Sequence, residues 1–448
     1  MAQLFGTDGI RGRAGDGFFT RFSLARFGAL LTQWLQKRDG AEHLSLILLH
    51  DTRISCDWVK QALMSGILEY PITVADAGVL PTPAAPILLS AFPYFSAAII
   101  ISASHNPYYD NGIKIFTRSG KLTEQEENEL ETLFYDATLT GNGTGSFGSY
   151  RSFHKTAEHL YCSRILGLVP PRLLQGLTIA LDCANGATSF VAPNIFKELG
   201  ATVVATNTEP DGININHGCG SLEPKQVRDV VLLRKAGLGF AFDGDGDRVI
   251  AATGEGEIKD GDDLLVLLSR YSPYRDVPTI VGTALTNVGC ERHFAQQGKA
   301  LLRAPIGDRA VAHELKTRNL PLGGEPAGHL ILADLLPVGD GILAALKVIE
   351  SIRETDNWTL QTCNKFPQAH RNIITLHHYK LSEPPFAELI RAAELKTAGG
   401  RILVRYSGTE PLLRIMVEAG DQELAQTTAE SLAQSFFDLF QQKQRELL

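Results

Sequence analysis

Gly239-Phe240-Ala241-Phe242-Asp243-Gly244-Asp245-Gly246-Asp247-Arg248 runs an apolar segment into three aspartates spaced two residues apart. Side chains of extended chain alternate between faces, so the three carboxylates converge on one side, and the glycines let the backbone turn tightly around them. Clustered carboxylates repel one another unless a hard divalent cation lies between them. An all-oxygen site with few protein ligands suits Mg²⁺. An EF-hand fails on register: counted from Asp243, Arg248 falls where that loop needs glycine and Gly254 where it needs glutamate. A buried strand ending in ligands is the habit of α/β sheets, which bind at the carboxyl ends of their strands.

The rest of the chain repeats that habit. Leu44–Leu49 reads as a buried strand, Asp57–Leu68 as a helix and Ile72–Ala75 as the next strand. Leu177–Leu181, a helix over Ser189–Leu199 stopped by Gly200, and Thr202–Ala205 repeat the pattern. So do Val277–Gly282, a helix from about Asn287, and Ala300–Arg303. Thr123 and Glu126 form a capping box that opens a helix over Glu124–Phe134. The C-terminal part differs: strands Arg401–Arg405 and Leu412–Val417 join through a tight loop, and a helix follows over Gln422–Gln442. Polar joins fall near Gly141–Ser152, Gly254–Glu257 and Asn364–Gln368. The pattern predicts three α/β units and one smaller α+β unit, where length alone, 448 residues, suggests about three domains.

Composition narrows the function classes. Lys plus Arg number 42 against 50 Asp plus Glu, a net charge of −8, so nothing favours a polyanion and nucleic acid is not an expected partner. The N-terminus lacks an apolar leader and no apolar run approaches the roughly 20 residues that span a bilayer, so no membrane role is expected. The cysteines (Cys56, Cys162, Cys183, Cys219, Cys290, Cys363) lie far apart without metal-site spacing and read as free thiols of a reducing, cytoplasmic compartment. An anionic substrate would need local positive charge.

Three more segments supply candidates. In Ser96-Ala97-Ala98-Ile99-Ile100-Ile101-Ser102-Ala103-Ser104-His105-Asn106-Pro107, a serine follows a buried strand and precedes an Asn-Pro turn, which suits an exposed nucleophile or a simple cap. No GxSxG elbow or Ser-x-x-Lys pair accompanies it, which disfavours acyl transfer. Arg405-Tyr406-Ser407-Gly408-Thr409-Glu410-Pro411, with Arg414 on the returning strand, offers hydroxyls and backbone N–H groups between two arginines, enough to hold a phosphate. Phe5-Gly6-Thr7-Asp8-Gly9-Ile10-Arg11-Gly12 is glycine-rich but is not a P-loop. Glu325 and His329 share a glycine-rich loop, and Asp308-Arg309 form another charged tip; both suit sugar-phosphate contact.

In this order, and over the whole chain, these segments resemble the α-D-phosphohexomutase superfamily. FGTDGIRG at Phe5–Gly12 and SASHNPYYDNGIKIF at Ser102–Phe116 are similar to its bacterial phosphoglucosamine mutase branch rather than to its phosphomannomutase or phosphoglucomutase branches. The resemblance implies four domains around a central cleft: three similar α/β domains with mixed sheets (1–152, 153–253, 254–364) and a smaller α+β domain (365–448). It implies that Ser104 carries the transferable phosphoryl group, that Asp243, Asp245 and Asp247 with Ser104 hold one Mg²⁺, and that Arg248 is the arginine of the metal loop. Arg11 and Lys114 match basic residues near the phosphoserine, Lys114 as general acid/base. Glu325 and His329 match the sugar-reading loop, and Arg405, Ser407, Gly408, Thr409 and Arg414 the distal phosphate site. The activity implied is interconversion of glucosamine 6-phosphate and glucosamine 1-phosphate, primed by glucosamine or glucose 1,6-bisphosphate, towards cell-wall precursors. The small hexosamine phosphate is the one partner implied, with a monomeric or homodimeric enzyme. Two departures stand out: Ala327 replaces the usual serine of the sugar loop, and Leu49-His50 stands where Gly-Lys is usual. Two rival readings are an aspartyl-phosphate enzyme, since Asp243-Gly-Asp245-Gly also fits the start of a haloacid-dehalogenase motif, and a sugar-phosphate-binding regulator without catalysis.

Overall fold

The computed structural model describes residues 4–6, 8–41, 43–136, 147–375, 377–407 and 411–446. It divides into two compact units, Met1–Thr283 with Ala304–Gln361, and Ala284–Arg303 with Thr362–Leu448.

The first unit holds three sheets. In the first, the strands run in the order Ile10–Arg13, Asp110–Thr117, Ala97–Ile101, Leu44–His50, Ile72–Val79 and Ser149–Ser152, with Gly120–Lys121 pairing on Asp110–Thr117. Ala97–Ile101 lies parallel to Leu44–His50 and antiparallel to Asp110–Thr117, which places Lys114 directly opposite Ile100. All five residues of Ala97–Ile101 are buried, and burying each isoleucine contributes about 1.5–3 kcal/mol. The sheet is therefore mixed. Helix Arg21–Asp39, capped by the Thr20 hydroxyl and ended by left-handed Gly40, lies against helix Cys56–Ile67. A side chain at Gly66 would meet the Ala25 carbonyl oxygen at 1.8 Å, so the two helices come this close because there is none.

The second sheet orders Ile258–Lys259, Val249–Thr253, Leu238–Phe242, Thr178–Asp182 and Thr202–Thr206. Leu238–Phe242 is buried throughout and runs parallel to Thr178–Asp182, so Asp243 emerges at a carboxyl end. The third is four-stranded, and the first unit gives it Thr279–Thr283, Leu322–Gly324 and Leu330–Leu332, with the sugar-loop candidates between the last two. The second unit is an antiparallel sheet, Gln368–Ile374, Leu412–Glu418 and Arg401–Tyr406, closed by helices Phe386–Glu394 and Gln422–Glu446 over a core of Phe386, Leu413, Ile415 and Phe436. No helix among the described residues is long and apolar enough to cross a membrane.

Three local expectations change. The helix expected over Ser189–Leu199 is a short 3₁₀ turn, Ala187–Ser189, followed by Ala192–Glu198, with Pro193 in its first turn. The polar join expected over Gly141–Ser152 ends in a strand, Ser149–Ser152, parallel to Ile72–Val79. All four of its residues are exposed, so it carries no apolar alternation to announce it; the join's residues 141–146 lie outside the described ones. Gln368, the end of another expected join, begins a strand whose apolar residues gather only towards its end.

Asp76, within Ile72–Val79, fastens this edge. It accepts from Lys60 Nζ at 3.0 Å, from the Gly78 N–H at 2.9 Å and from the Tyr150 hydroxyl. Burial raises its pKa, but the bonds from Tyr150, Lys60 and Gly78 prevail and hold it at about 2. A carboxyl depressed on folding stabilises the fold above its unfolded pKa of about 4 and loses that contribution as pH falls towards 2. The shift is worth about 2 kcal/mol. Asp76→Asn should therefore lower stability by about that much at pH 7, and the gap to the unmutated chain should close between pH 4 and pH 2, as read by urea unfolding at each pH.

Candidate active site

The chemistry collects where two strands end. After Ala97–Ile101 the chain turns through Ser102 and Ala103 to Ser104, whose φ of +52° is left-handed. A residue with a side chain pays about 1–2 kcal/mol for that conformation. The turn aims the Ser104 hydroxyl at Asp243 Oδ2, to which it donates at 2.7 Å, with His105 Nδ1 at 3.3 Å. His105 is held neutral, its pKa lowered to about 3 by burial and then by the charges of Arg248 and Arg11. Gly244 makes the approach possible: a side chain there would meet the Ser104 carbonyl oxygen at 2.6 Å.

Asp243, Asp245 and Asp247 are buried, and one carboxylate oxygen of each lies within 4.8 Å of the others. Lys114 Nζ sits against them, 2.8 Å from Asp245 Oδ2 and 3.5 Å from Asp247 Oδ2. Burial pushes the Asp243 carboxyl well up, and its two neighbours push it further. Burial also raises Asp247, but Lys114 and His329 overcome it and hold that carboxyl well below its ordinary value. Asp245 is likewise brought down by Lys114 and by a hydrogen bond from the Thr82 hydroxyl. Two buried carboxylate oxygens, Asp245 Oδ1 and Asp247 Oδ1, have no hydrogen-bond partner among the described residues. Hard oxygen donors, an excess of negative charge and unsatisfied lone pairs fit a divalent cation of the Mg²⁺ type.

The remaining cations are ordered by Asp8, which sequence reasoning passed over. Asp8 binds Arg11 at 2.7 Å, Lys114 at 2.8 Å and Lys121 at 2.6 Å. Lys114 is buried, which alone would lower its pKa; Asp245, Asp8 and Asp247 raise it well above normal and keep it an ammonium. Arg248 is raised in the same way by Asp247, Asp243 and Glu325. His329 lies with Nδ1 3.6 Å from Asp247 Oδ1 and Nε2 3.8 Å from Asp308 Oδ2, and these acids raise its pKa against the opposing effect of burial. Glu325 accepts from the Gly307 N–H at 3.0 Å; burial raises its carboxyl. Ala327 is exposed on the loop between Glu325 and His329.

Asp308 and Arg309 arrive near this cluster but are engaged by protein. Asp308 pairs with Lys121, and Arg309 grips Glu127 with both terminal nitrogens. These partners come from the first sheet's side of the unit, so the pairs tie the 308–309 helix start to the 121–127 segment. In the second unit, Arg405 and Arg414 stand opposite each other on adjacent strands, and burial and then Arg414's charge lower the pKa of Arg405. Two like charges in register are unfavourable until an anion joins them. Ser407 is buried beside them in sequence, while Gly408 and Thr409 lie outside the described residues. Tyr406 is turned to structure: its hydroxyl bonds the Tyr379 N–H and its ring stacks on His378.

The chain matches four domain families described for phosphoglucomutase/phosphomannomutase: alpha/beta/alpha domain I over residues 2–140, domain II over 160–256, domain III over 260–369 and the C-terminal domain over 368–435. It is 37% identical to phosphoglucosamine mutase 2 of Shewanella amazonensis, covering 98% of this chain and 99% of that one. It is 38% identical to phosphoglucosamine mutase of a Marinomonas species, covering 97% of each. Among solved structures it is similar to a phosphoglucomutase/phosphomannomutase family protein of Burkholderia thailandensis (23% identity, TM-score 0.77, 96% and 95% covered). It is also similar in fold to N-acetylphosphoglucosamine mutase of Aspergillus fumigatus, solved with GlcNAc-6P and magnesium (15% identity, TM-score 0.68, 98% and 96% covered).

A cation that binds only the folded chain raises its melting temperature by mass action. Millimolar Mg²⁺ should therefore stabilise the protein relative to excess chelator, and Asp243→Asn should abolish most of that difference while melting no lower than the parent in chelator. Differential scanning calorimetry in the two buffers checks both.

Proposed function

We propose, for a chain that belongs to the phosphoglucosamine mutase family, that Ser104 is its phosphoryl carrier and that glucosamine 6-phosphate and glucosamine 1-phosphate are its exchanging pair. The chain is an isomerase of the phosphohexomutase type. What carries the assignment of the carrier is the Ser104 hydroxyl held 2.7 Å from Asp243 on a strained turn.

In the first half-reaction the phosphorus–oxygen bond to Ser104 breaks as a sugar hydroxyl attacks, and a 1,6-bisphosphate results. Lys114, kept an ammonium by Asp8, Asp245 and Asp247, gives a proton to the departing serine oxygen and recovers it when Ser104 is rephosphorylated. His329, set by Asp247 and Asp308, takes the proton that the attacking sugar hydroxyl releases and gives it to the sugar oxygen that departs in the second half-reaction. Bound at Asp243, Asp245, Asp247 and the Ser104 phosphate, one Mg²⁺ would neutralise charge in the loose transition state. Arg11 and Arg248 add fixed positive charge, Glu325 and His329 read the sugar, and Arg405, Ser407, Gly408, Thr409 and Arg414 hold the phosphate that is not reacting. Fold relatives crystallised with magnesium and with glucose 1,6-bisphosphate support the metal and the primer.

Ser104→Ala should lose turnover by at least about 10³-fold, the scale of removing a covalent nucleophile, and should take up no phosphate from glucose 1,6-bisphosphate. The label on the parent should survive acid and hydroxylamine; lability to hydroxylamine would instead put the phosphate on an aspartate. Ala327→Ser restores one hydroxyl, worth about 0.5–1.5 kcal/mol where it meets the sugar. Comparison of kcat/KM for glucosamine-, glucose- and mannose-phosphates should show a shift of roughly 2- to 10-fold between sugars.

A further inference from the structure

We infer that Arg53, through Asp51 and Ser102, is a positioning residue that sets the Ser104 loop in its reactive conformation. Arg53 is buried, and its guanidinium is spent almost wholly on backbone. Nη2 donates to the carbonyls of Ser104 and Asn106, each at 2.8 Å, and Nη1 to the carbonyls of Asp110, at 3.1 Å, and Pro107. Nε donates to Asp51 Oδ2 at 2.8 Å. The same Asp51 oxygen accepts from the Ser102 hydroxyl at 2.6 Å, and Ser102 Oγ in turn accepts the Ser104 N–H at 2.9 Å. The peptide groups on both sides of Ser104 are thus held by one relay, its N–H by Ser102 and its carbonyl by Arg53. Asn216 Nδ2 adds a second bond to the Ser104 carbonyl at 2.9 Å.

Four carbonyls converging on one point repel unless a donor of matching shape fills it. The planar fork of arginine, with donors fixed in direction, fits where the single ammonium of lysine cannot reach all of them. Arg53 touches neither the carboxylate triad nor the Ser104 hydroxyl; it acts on where that hydroxyl points. Left-handed Ser104 has other backbone wells open to it, and the relay removes them. The inference rests on Ser104 being the phosphoryl carrier.

The test compares the parent, Arg53→Lys, Ser102→Ala and Ser104→Ala in Mg²⁺, with glucosamine 6-phosphate as substrate and glucose 1,6-bisphosphate as primer. Melting temperature and phosphoserine content by intact mass are read beside kcat and KM. A displaced reacting group costs about 10²-fold, so kcat per folded molecule should fall about that far in Arg53→Lys and about 10-fold in Ser102→Ala, with KM within about 2-fold of the parent. A role in stability alone would lower the melting temperature and leave kcat per folded molecule unchanged. Should Arg53→Lys fail to fold, Ser102→Ala, which keeps the Arg53–Asp51 pair, decides. Parent-like kcat per folded molecule in the folded variants, with Ser104→Ala inactive, would overturn the inference alone. Full turnover in Ser104→Ala would overturn the carrier assignment and this inference with it.

Discussion

Three carboxylates buried within reach of one another are the constraint to which the surroundings of Asp243 answer. Their mutual repulsion cannot be relieved by water, so protein must relieve it, and Lys114 does so from the neighbouring sheet. Lys114 is itself buried and stays charged because Asp245 faces it and Asp8 supplies another anion behind it. Asp8 draws in Arg11 and Lys121, and Lys121 reaches Asp308. An alternating chain of charges thus runs from the first sheet to the start of helix Asp308–Arg318. The fully buried link is Lys114 with Asp245; removing one partner of a buried pair costs about 3–5 kcal/mol.

That arrangement also explains why the strand order matters. The Asp243 loop and the Ser104 loop each follow the carboxyl end of a fully buried strand, and both loops are short. Glycine at 244 lets one backbone pass within contact of the other's carbonyl, so the serine hydroxyl reaches the carboxylate directly. Thr82 adds a stitch, its N–H and hydroxyl both given to Asp245. Strain at Ser104 is tolerated because its surroundings are over-determined.

Much of this was legible in the amino-acid order. Asp243, Asp245 and Asp247 announce themselves by alternation after an apolar run, whereas Ser104, between a buried strand and Asn-Pro, reads as readily as a simple cap and stands out only through the family resemblance of its segment. The capping box at Thr123 and Glu126 forms as written. What stayed hidden has physical causes. Asp8, Lys121 and Glu127 matter through partners far away in sequence, and isolated charges carry no spacing to read. Arg53 stands in an unremarkable Asp-Thr-Arg turn, and only folding brings the carbonyls of 104–110 around it. Asp308 and Arg309 read as a free charged tip, yet folding gives each a protein partner. Ser149–Ser152 joins a sheet edge by backbone pairing and polar side chains, without an apolar face to betray it.

The left-handed backbone at Ser104 sets the conformation of the chain against the side chain it carries there. Glycine would occupy that turn without penalty, and of all replacements it is the one the chain's conformation favours most. Directed evolution scored on heat resistance alone would therefore drift towards glycine at 104 and quietly discard the hydroxyl. At this position the residue the backbone prefers and the residue the chain carries are different. With Ser104 as the proposed carrier, libraries built on this scaffold need an activity screen at each round, or they lose the hydroxyl on which that proposal rests.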